Sequence, residues 1–188
     1  MRHLQIAGCG TAMVTPFNND FTVDYNSYRN LVKRQIDAGI HFLVPLGTTA
    51  ETPCLETEEK IRLLEITKEE CGSKFPIIVG AGSNCTKHVL ENIKLLEKYG
   101  ADAFLIVTPY YNKPTQIGLY NHFKEIALST DKPIIMYNVP GRTGVNLSAE
   151  TSLKLAEIEN IAGIKEASSN YAQICEIIRN CPERFSVL

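Results

Sequence analysis

Short runs of consecutive apolar residues alternate along the chain with longer segments in which apolar residues recur every three or four positions. A short apolar run is typical of a buried strand, and the wider spacing is typical of an amphipathic helix. Successive runs begin between 24 and 34 residues apart, which predicts a repeated βα unit. The predicted strands are residues 10–14, 42–45, 76–80, 103–107, 133–137, 161–165 and 185–188.

Helical patterns fill the segments between these strands, as the spacing of Val89, Ile93 and Leu96 illustrates. Short polar side chains favour the position before a helix, and glycine favours the position after it. The predicted N-caps are Asp24, Thr57, Thr86 and Ser148, and the predicted helix ends are Gly39, Gly72 and Gly100.

Repeated βα units predict a parallel sheet, either open and doubly wound or closed into a barrel. No Gly-x-Gly-x-x-Gly motif follows the first strand, which argues against a dinucleotide-binding sheet. Polar residues follow several different strands, as in a barrel, so we predict an α/β fold of the (β/α)8 TIM-barrel type. Because a complete barrel needs about 250 residues, we expect residues 1–188 to be one incomplete barrel domain. It would end at the start of strand 7, with strands 7–8 and the C-terminal helical region missing.

Composition excludes several kinds of partner. The 188 residues carry a net charge of −2 with lysine and arginine scattered along the chain, so no basic stripe predicts binding to nucleic acid or to a membrane. The N-terminus has no apolar segment typical of a signal peptide, and no apolar run approaches the length of a membrane span. We therefore expect a cytoplasmic protein.

Cysteines and histidines show no spacing typical of a metal site. The six cysteines form no Cys-x-x-Cys pair, which predicts reduced, mostly structural thiols, and the four histidines stand apart. The sequence thus predicts neither a metal site nor a Ser/His/Asp arrangement. The histidines are His3, His41, His88 and His122.

Lys165 is the unusual residue of the sixth predicted strand, since it interrupts an otherwise apolar run. Burial disfavours the charged form of lysine and lowers its pKa. A neutral amine can attack a carbonyl group and form a Schiff base. The alternative is a lysine whose ammonium reaches solvent from the end of the strand.

Loops after two earlier strands carry further candidates. Thr48 and Thr49 follow Gly47, and their hydroxyl and backbone N–H groups suit a small carboxylate, although the segment could equally be an ordinary turn. Tyr110 and Tyr111 lie between two prolines that stiffen the loop. Either tyrosine could carry protons or simply pack at an interface.

The fifth predicted strand ends in Tyr137, and Arg142 follows between Gly141 and Gly144. A phenol at a strand end can hydrogen-bond both a nucleophile and a substrate. A guanidinium can bind a carboxylate with two parallel hydrogen bonds, and a solvated loop arginine is the alternative. In a barrel these groups and Lys165 would emerge at one rim, and such chemistry needs neither a metal nor a nucleotide.

Five motifs resemble the 4-hydroxy-tetrahydrodipicolinate synthase (dihydrodipicolinate synthase) family, within the N-acetylneuraminate lyase superfamily of pyruvate aldolases. The resemblance covers essentially the whole chain, in order and with matching spacing. The motifs are Gly10-Thr-Ala-Met-Val-Thr-Pro-Phe17, Gly47-Thr-Thr-Ala-Glu51, Val107-Thr-Pro-Tyr-Tyr-Asn-Lys-Pro114, Tyr137-Asn-Val-Pro-Gly-Arg-Thr-Gly144 and Gly163-Ile-Lys-Glu-Ala167.

The resemblance implies a lysine-dependent aldolase without a cofactor, on a (β/α)8 barrel, that condenses pyruvate with L-aspartate-4-semialdehyde. The reaction belongs to lysine and diaminopimelate biosynthesis, and the family assembles as a dimer of dimers. Within the superfamily, the alternative is N-acetylneuraminate lyase or a keto-deoxy-sugar aldolase, against which Arg142 argues. An alternative of another class is an inactive fragment or an interaction module.

Each site residue acquires a role from the resemblance. Lys165 would form the Schiff base, and Tyr137 would transfer protons to and from it. Thr48 and Tyr111 would complete the proton relay, with Tyr111 reaching in from the neighbouring subunit. Two residues would bind carboxylates: Thr49 that of pyruvate, and Arg142 that of the semialdehyde.

A possible regulatory site for lysine would include Asn84, His88 and Tyr110. Lysine-sensitive members commonly have a glutamate at the position of His88, so the resemblance does not establish feedback inhibition here.

Overall fold

The computed structural model describes residues 6–188. Each predicted strand overlaps an observed one, with bounds that differ by at most two residues. The strands are β1 (Gly10–Ala12), β2 (Phe42–Val44), β3 (Ile78–Gly80), β4 (Ala103–Val107), β5 (Ile134–Asn138), β6 (Ile161–Glu166) and β7 (Ser186–Val187). The α-helices are α1 (Tyr25–Asp37), α2 (Thr57–Cys71), α3 (Thr86–Leu96), α4 (Gln116–Leu128), α5 (Pro140–Thr143), α6 (Ala149–Ala156) and α7 (Tyr171–Asn180).

Two compact units make up the described chain. The N-terminal unit contains Gly8–Ala81 and Lys94–Ala103, and the C-terminal unit contains residues 6–7, Gly82–Ile93 and Phe104–Leu188. In each unit the strands pair in parallel, as the βα repeat predicted.

The N-terminal unit contains β1, β2 and β3 together with α1 and α2. β1 pairs with β2 in parallel, and a further parallel bridge joins Leu43 to Ile77 next to β3. Between the helices, the hydroxyls of Tyr28 and Thr67 are hydrogen-bonded at 2.8 Å. Burial raises the pKa of Tyr28 to about 12, because the charged phenolate would lose its solvation. The buried phenol therefore stays neutral at physiological pH.

The C-terminal unit contains a parallel sheet in the order β4, β5, β6, β7, with β4 contributing from Phe104 onward. The register sets Val107 opposite Tyr137, and Tyr137 opposite Lys165. Strand positions such as Ile106 and Met136 are fully buried. Three adjacent strands thus present these residues at the same level of the sheet.

Helix starts were predicted correctly at two positions. The Asp24 carboxylate accepts a hydrogen bond from Ser27 N at 2.9 Å, and the Ser148 hydroxyl accepts one from Thr151 N at 3.2 Å. Each side chain satisfies a backbone donor that the first helical turn would leave unpaired. The predicted helix ends are confirmed as well, with positive φ angles at Gly39, Gly72 and Gly100.

Two other N-cap predictions were wrong by one residue. The N-cap of α2 is Glu56, because Glu56 and Glu59 each accept a hydrogen bond from the other's backbone N–H in a capping box. Thr57 is the first helical residue of α2, and Thr86 is likewise the first helical residue of α3. Glutamate was overlooked because shorter side chains are the usual caps.

No helix within residues 6–188 combines the length and the apolar character that crossing a bilayer requires.

His122 on α4 makes stability depend on pH. Its ring is 5% exposed, Nδ1 is 2.8 Å from the Thr86 hydroxyl, and Nε2 has no hydrogen-bond partner among the described residues. Burial lowers the pKa of His122 from 6.5 to about 4. As the pH falls from 6.5 to 4, the His122 ring binds a proton in the unfolded chain but not in the folded chain. The free energy of unfolding therefore falls over this range and stops falling below pH 4.

The free energy of unfolding should therefore fall by about 3 kcal/mol more in the wild type than in a His122→Asn variant between pH 7 and pH 4. Asparagine removes the titrating ring and can still accept the Thr86 hydrogen bond. Urea unfolding at several pH values measures the difference. Equal pH dependence in the two proteins would contradict the assignment to His122.

Candidate active site

Lys165 lies one residue before the end of β6, opposite Tyr137 of β5. Its Nζ is 4.5 Å from the centroid of the Tyr137 ring. The side chain is half-buried, and burial lowers the pKa of Lys165 below its ordinary value of 10.5. A larger fraction of the amine is therefore neutral near pH 7, which is the form that attacks a carbonyl carbon.

Tyr137 is 8% exposed. Burial raises the pKa of its phenol, and the positive charge of Arg142 opposes that shift by a smaller amount. The phenol therefore stays protonated at neutral pH and can both donate and accept a hydrogen bond. A neutral donor beside a deprotonatable amine is suited to moving protons during imine chemistry.

Arg142 belongs to α5, the four-residue helix that directly follows β5. The buried Thr143 hydroxyl is within hydrogen-bond distance of two carbonyl oxygens, Val139 O at 3.2 Å and Val145 O at 3.0 Å, and this contact holds the turn against the end of the strand. Gly144 ends it with a φ of 74°. Arg142 itself is exposed, so its guanidinium is available to a negatively charged ligand.

The loop after β4 holds Tyr111 in an unusual backbone conformation. Tyr111 and Lys113 have φ angles of 72° and 51°, a region that costs on the order of 1–3 kcal/mol for residues other than glycine. Tyr111 N donates to Thr143 O at 3.3 Å, and Asn112 Nδ2 donates to Asn84 O at 2.8 Å. The Tyr111 side chain is 87% exposed, so the loop is fastened by its backbone while the phenol faces outward.

The three residues of the predicted regulatory site all belong to the C-terminal unit. Asn84 and Asn112 are hydrogen-bonded to each other, which places Asn84 against the loop that carries Tyr110. His88 is exposed on α3, and Tyr110 is half-buried.

Thr48 and Thr49 lie in the N-terminal unit, in a 3₁₀ turn that follows β2. Both residues are exposed. The turn is held by Thr15, whose hydroxyl donates to Ala50 O at 2.8 Å, and by Thr52, whose hydroxyl donates to Gly47 O at 3.0 Å. Tyr137, Arg142 and Lys165 therefore all belong to the C-terminal unit, and the two threonines belong to the N-terminal unit.

Sequence reasoning missed a group of polar residues beside the Tyr137–Lys165 pair. Asn138 and Glu166, the next residues along β5 and β6, are 0% and 9% exposed, and Gln173 of α7 is 8% exposed. Asn138 Nδ2 donates to the Glu166 carboxylate at 3.0 Å, and Gln173 Nε2 donates to it at 2.9 Å. The available signal was a carboxamide and a carboxylate directly after the two strand-borne candidates.

No group of three or more histidine, cysteine or carboxylate side chains is placed to hold a metal ion within residues 6–188. His3 lies outside the described residues.

Comparisons with known proteins agree with this fold. Residues 5–188 match the model of the dihydrodipicolinate synthetase family. The 4-hydroxy-tetrahydrodipicolinate synthase of Parabacteroides distasonis is 48% identical over 189 aligned residues, which cover 100% of this chain and 64% of the relative. The chain belongs to the dihydrodipicolinate synthetase family, and it spans about 64% of that relative's length.

Two solved structures show the same fold. Dihydrodipicolinate synthase of Thermotoga maritima superposes with a TM-score of 0.94 at 45% identity, over 97% of this chain and 63% of that one. The chloride-inhibited enzyme of Acinetobacter baumannii, complexed with pyruvate, gives 0.93 at 43% identity, over 96% and 62%. The predicted α/β fold of the (β/α)8 barrel class is thereby confirmed.

Proposed function

We propose that the protein is a Schiff-base-forming lyase that condenses pyruvate with L-aspartate-4-semialdehyde to give 4-hydroxy-tetrahydrodipicolinate, a step of lysine and diaminopimelate biosynthesis. The observation that carries this proposal is the half-buried Lys165 amine, whose Nζ is 4.5 Å from the centroid of the Tyr137 ring. Membership of the family and the pyruvate complex of the Acinetobacter relative support pyruvate as the first substrate.

The first step would form an imine. The neutral Lys165 amine attacks the ketone carbon of pyruvate, a C–N bond forms, and the former carbonyl oxygen leaves as water. Tyr137 would donate a proton to that oxygen, because its phenol stays protonated at neutral pH. By the family resemblance, Thr48 and Tyr111 would complete the proton relay with Tyr137, with Tyr111 acting from a neighbouring subunit. The outward position of the Tyr111 side chain supports this last assignment.

The second step would join the two substrates. Loss of a proton from the methyl carbon of the imine gives an enamine, which forms a C–C bond to the aldehyde carbon of the semialdehyde. The aldehyde oxygen takes up a proton, and the amino group of the semialdehyde then attacks the imine carbon, which closes the ring as a new C–N bond forms and the bond to the Lys165 amine breaks. Thr49 would hold the carboxylate of pyruvate, and the exposed Arg142 would bind the carboxylate of the semialdehyde.

The proposed synthase is favoured over N-acetylneuraminate lyase or a sugar-acid aldolase by the names of the relatives and by Arg142. A guanidinium suits the compact carboxylate of the semialdehyde, whereas a polyhydroxy chain would be bound by hydroxyl and amide groups.

Treating the purified full-length protein with pyruvate and borohydride should leave a covalent adduct, because borohydride reduces the imine to a stable secondary amine. Intact-mass measurement detects the adduct, and pyruvate or borohydride alone should give none. Addition of the semialdehyde without borohydride should then consume pyruvate. A protein that forms the adduct but accepts only sugar aldehydes would favour the alternative, and the absence of an adduct would refute the proposal.

Assembly as a dimer of dimers and a lysine site at Asn84, His88 and Tyr110 remain predictions from the family resemblance, and a cytoplasmic location remains a prediction from the apolar pattern of the sequence. Sedimentation velocity of the purified protein, with and without lysine, tests assembly and its response to lysine.

A further inference from the structure

A carboxylate–amide cluster, made of the buried residues Asn138, Glu166 and Gln173 and the exposed Asn146, links β5, β6, α7 and the segment before α6. Glu166 Oε1 accepts a hydrogen bond from Ser168 N at 2.8 Å, and Oε2 accepts from Gln173 Nε2 at 2.9 Å. Asn138 Nδ2 is within 3.2 Å of both oxygens. Every partner of the carboxylate is thus a neutral N–H donor.

The amides of the cluster are fixed in orientation by further bonds. Asn138 Oδ1 accepts from Leu147 N at 3.0 Å, so its Nδ2 must face Glu166. Gln173 Oε1 accepts from Asn146 Nδ2 at 2.9 Å, so its Nε2 also faces the carboxylate. Asn138, Gln173 and Ser168 therefore all present N–H groups to Glu166, and its carboxylate oxygens accept these bonds.

The cluster lies directly behind the proposed reactive pair. Asn138 is opposite Glu166 in the β5–β6 register, one step beyond the Tyr137–Lys165 pair. Successive side chains of a strand point to opposite faces of the sheet. The register that brings Tyr137 against Lys165 therefore also brings Asn138 against Glu166 on the other face.

The pairing of β5 with β6 is interrupted, so a regular series of backbone hydrogen bonds does not by itself fix the β5–β6 register. Ile134 pairs with Ile161, but Ile135 pairs with Gly163, so β6 contains a bulge near its start. A shift of one residue would place Glu166 opposite Tyr137 and turn Lys165 to the other face. Side-chain bonds beyond the bulge can select one register over the other.

Burying a carboxylate without a cationic partner carries a large desolvation penalty, so stability alone does not explain Glu166. We propose that Glu166 is a positioning residue: with Asn138 and Gln173 it holds the β5–β6 register in which Tyr137 and Lys165 meet. This inference rests on the proposed Schiff-base function of Lys165. It assigns to Glu166 no contact with substrate.

A Glu166→Gln substitution tests the proposal with almost no change in shape. The new amide NH₂ would face the N–H donors of Asn138, Gln173 or Ser168. Two hydrogen-bond donors would then face each other with no acceptor between them. We expect borohydride-trapped imine to form roughly 10 to 100 times more slowly with saturating pyruvate, since small displacements of reacting groups have effects of this size. Adding Asn138→Asp restores an acceptor opposite the new amide but removes the bond from Asn138 Nδ2 to Asn146 Oδ1 (2.9 Å), so it should recover part of the rate.

Asn160→Ala is the matched control at the other end of the same strand. Asn160 precedes β6, and its Nδ2 donates to Ala127 O and Thr130 O, both at 2.8 Å. Its loss should lower the melting temperature and leave the rate of imine formation unchanged. Circular dichroism identifies the temperature at which every variant is folded, and rates are compared there.

The outcomes separate the two proposals. A wild type that forms no adduct refutes the proposed function. If the wild type forms the adduct, any one of three results refutes the positioning role alone. These are an unchanged rate of imine formation in Glu166→Gln, an equal loss of that rate in Asn160→Ala, and no recovery of the rate in the double variant. If Glu166→Gln does not fold, Gln173→Leu can replace it, because it removes only the hydrogen bond from α7 to Glu166. It should slow imine formation severalfold. An unchanged rate of imine formation in Gln173→Leu would also refute the positioning role of Glu166.

Discussion

A Lys165→Arg variant should form no detectable adduct with pyruvate and borohydride under conditions in which the wild type is fully labelled. Arginine keeps a positive charge and a similar length, but its guanidinium cannot deprotonate in a protein and therefore cannot attack the carbonyl carbon. Burial lowers the pKa of Lys165 and favours the neutral amine, so the substitution removes the reactive form completely. Intact-mass measurement after reduction gives the labelled fraction.

Lys154→Arg provides the control for this experiment. Lys154 is an exposed lysine of α6 whose Nζ is 2.7 Å from the Glu150 carboxylate. This variant should be labelled as fully as the wild type, and peptide mapping should place the label on Lys165. An adduct that persists in Lys165→Arg would show that another amine reacts, and the proposed Schiff-base residue would be wrong.

Several features of the site could be predicted from local sequence. The apolar run before Lys165 placed it on a strand, and the run before Tyr137 placed that residue at the same end of another strand. In a parallel sheet the carboxyl ends of strands share one edge. The structure confirms that these two residues meet, with Lys165 Nζ 4.5 Å from the Tyr137 ring centroid.

The supporting cluster could not be predicted in the same way, since its bonds join Asn138 to Glu166 across 28 positions and depend on a bulge. Strand length and hydrophobic pattern do not reveal which residue a bulge leaves unpaired. Likewise, Glu56 caps α2 because Glu59 completes a reciprocal pair of hydrogen bonds, whereas the preference for short side chains pointed to Thr57. For the Asn138–Glu166 contact and for the Glu56 cap alike, the hydrogen-bonding partner determines the local structure, and the residue type alone does not reveal that partner.

An Arg142→Ala variant should lose use of the semialdehyde while retaining imine formation with pyruvate. The proposed contact of Arg142 is with the second substrate only. Its removal leaves a substrate carboxylate without its charged partner, which costs on the order of 2 to 4 kcal/mol in transition-state binding. The value of kcat/KM for the semialdehyde should therefore fall by roughly 30- to 1000-fold, as measured by steady-state kinetics at saturating pyruvate.

Arg142→Lys and Arg179→Ala sharpen this test. Lysine at position 142 retains the charge without the planar fork that pairs with a carboxylate, so an intermediate loss is expected. Arg179 is an exposed arginine in the last turn of α7, and replacing it should leave the use of both substrates unaffected.

Arg142 also opposes the upward shift in the pKa of Tyr137 that burial causes, so the loss of Arg142 should raise that pKa further and keep the phenol protonated. Imine formation should consequently survive, and an equal loss in both steps would show that Arg142 acts through Tyr137 rather than through the semialdehyde.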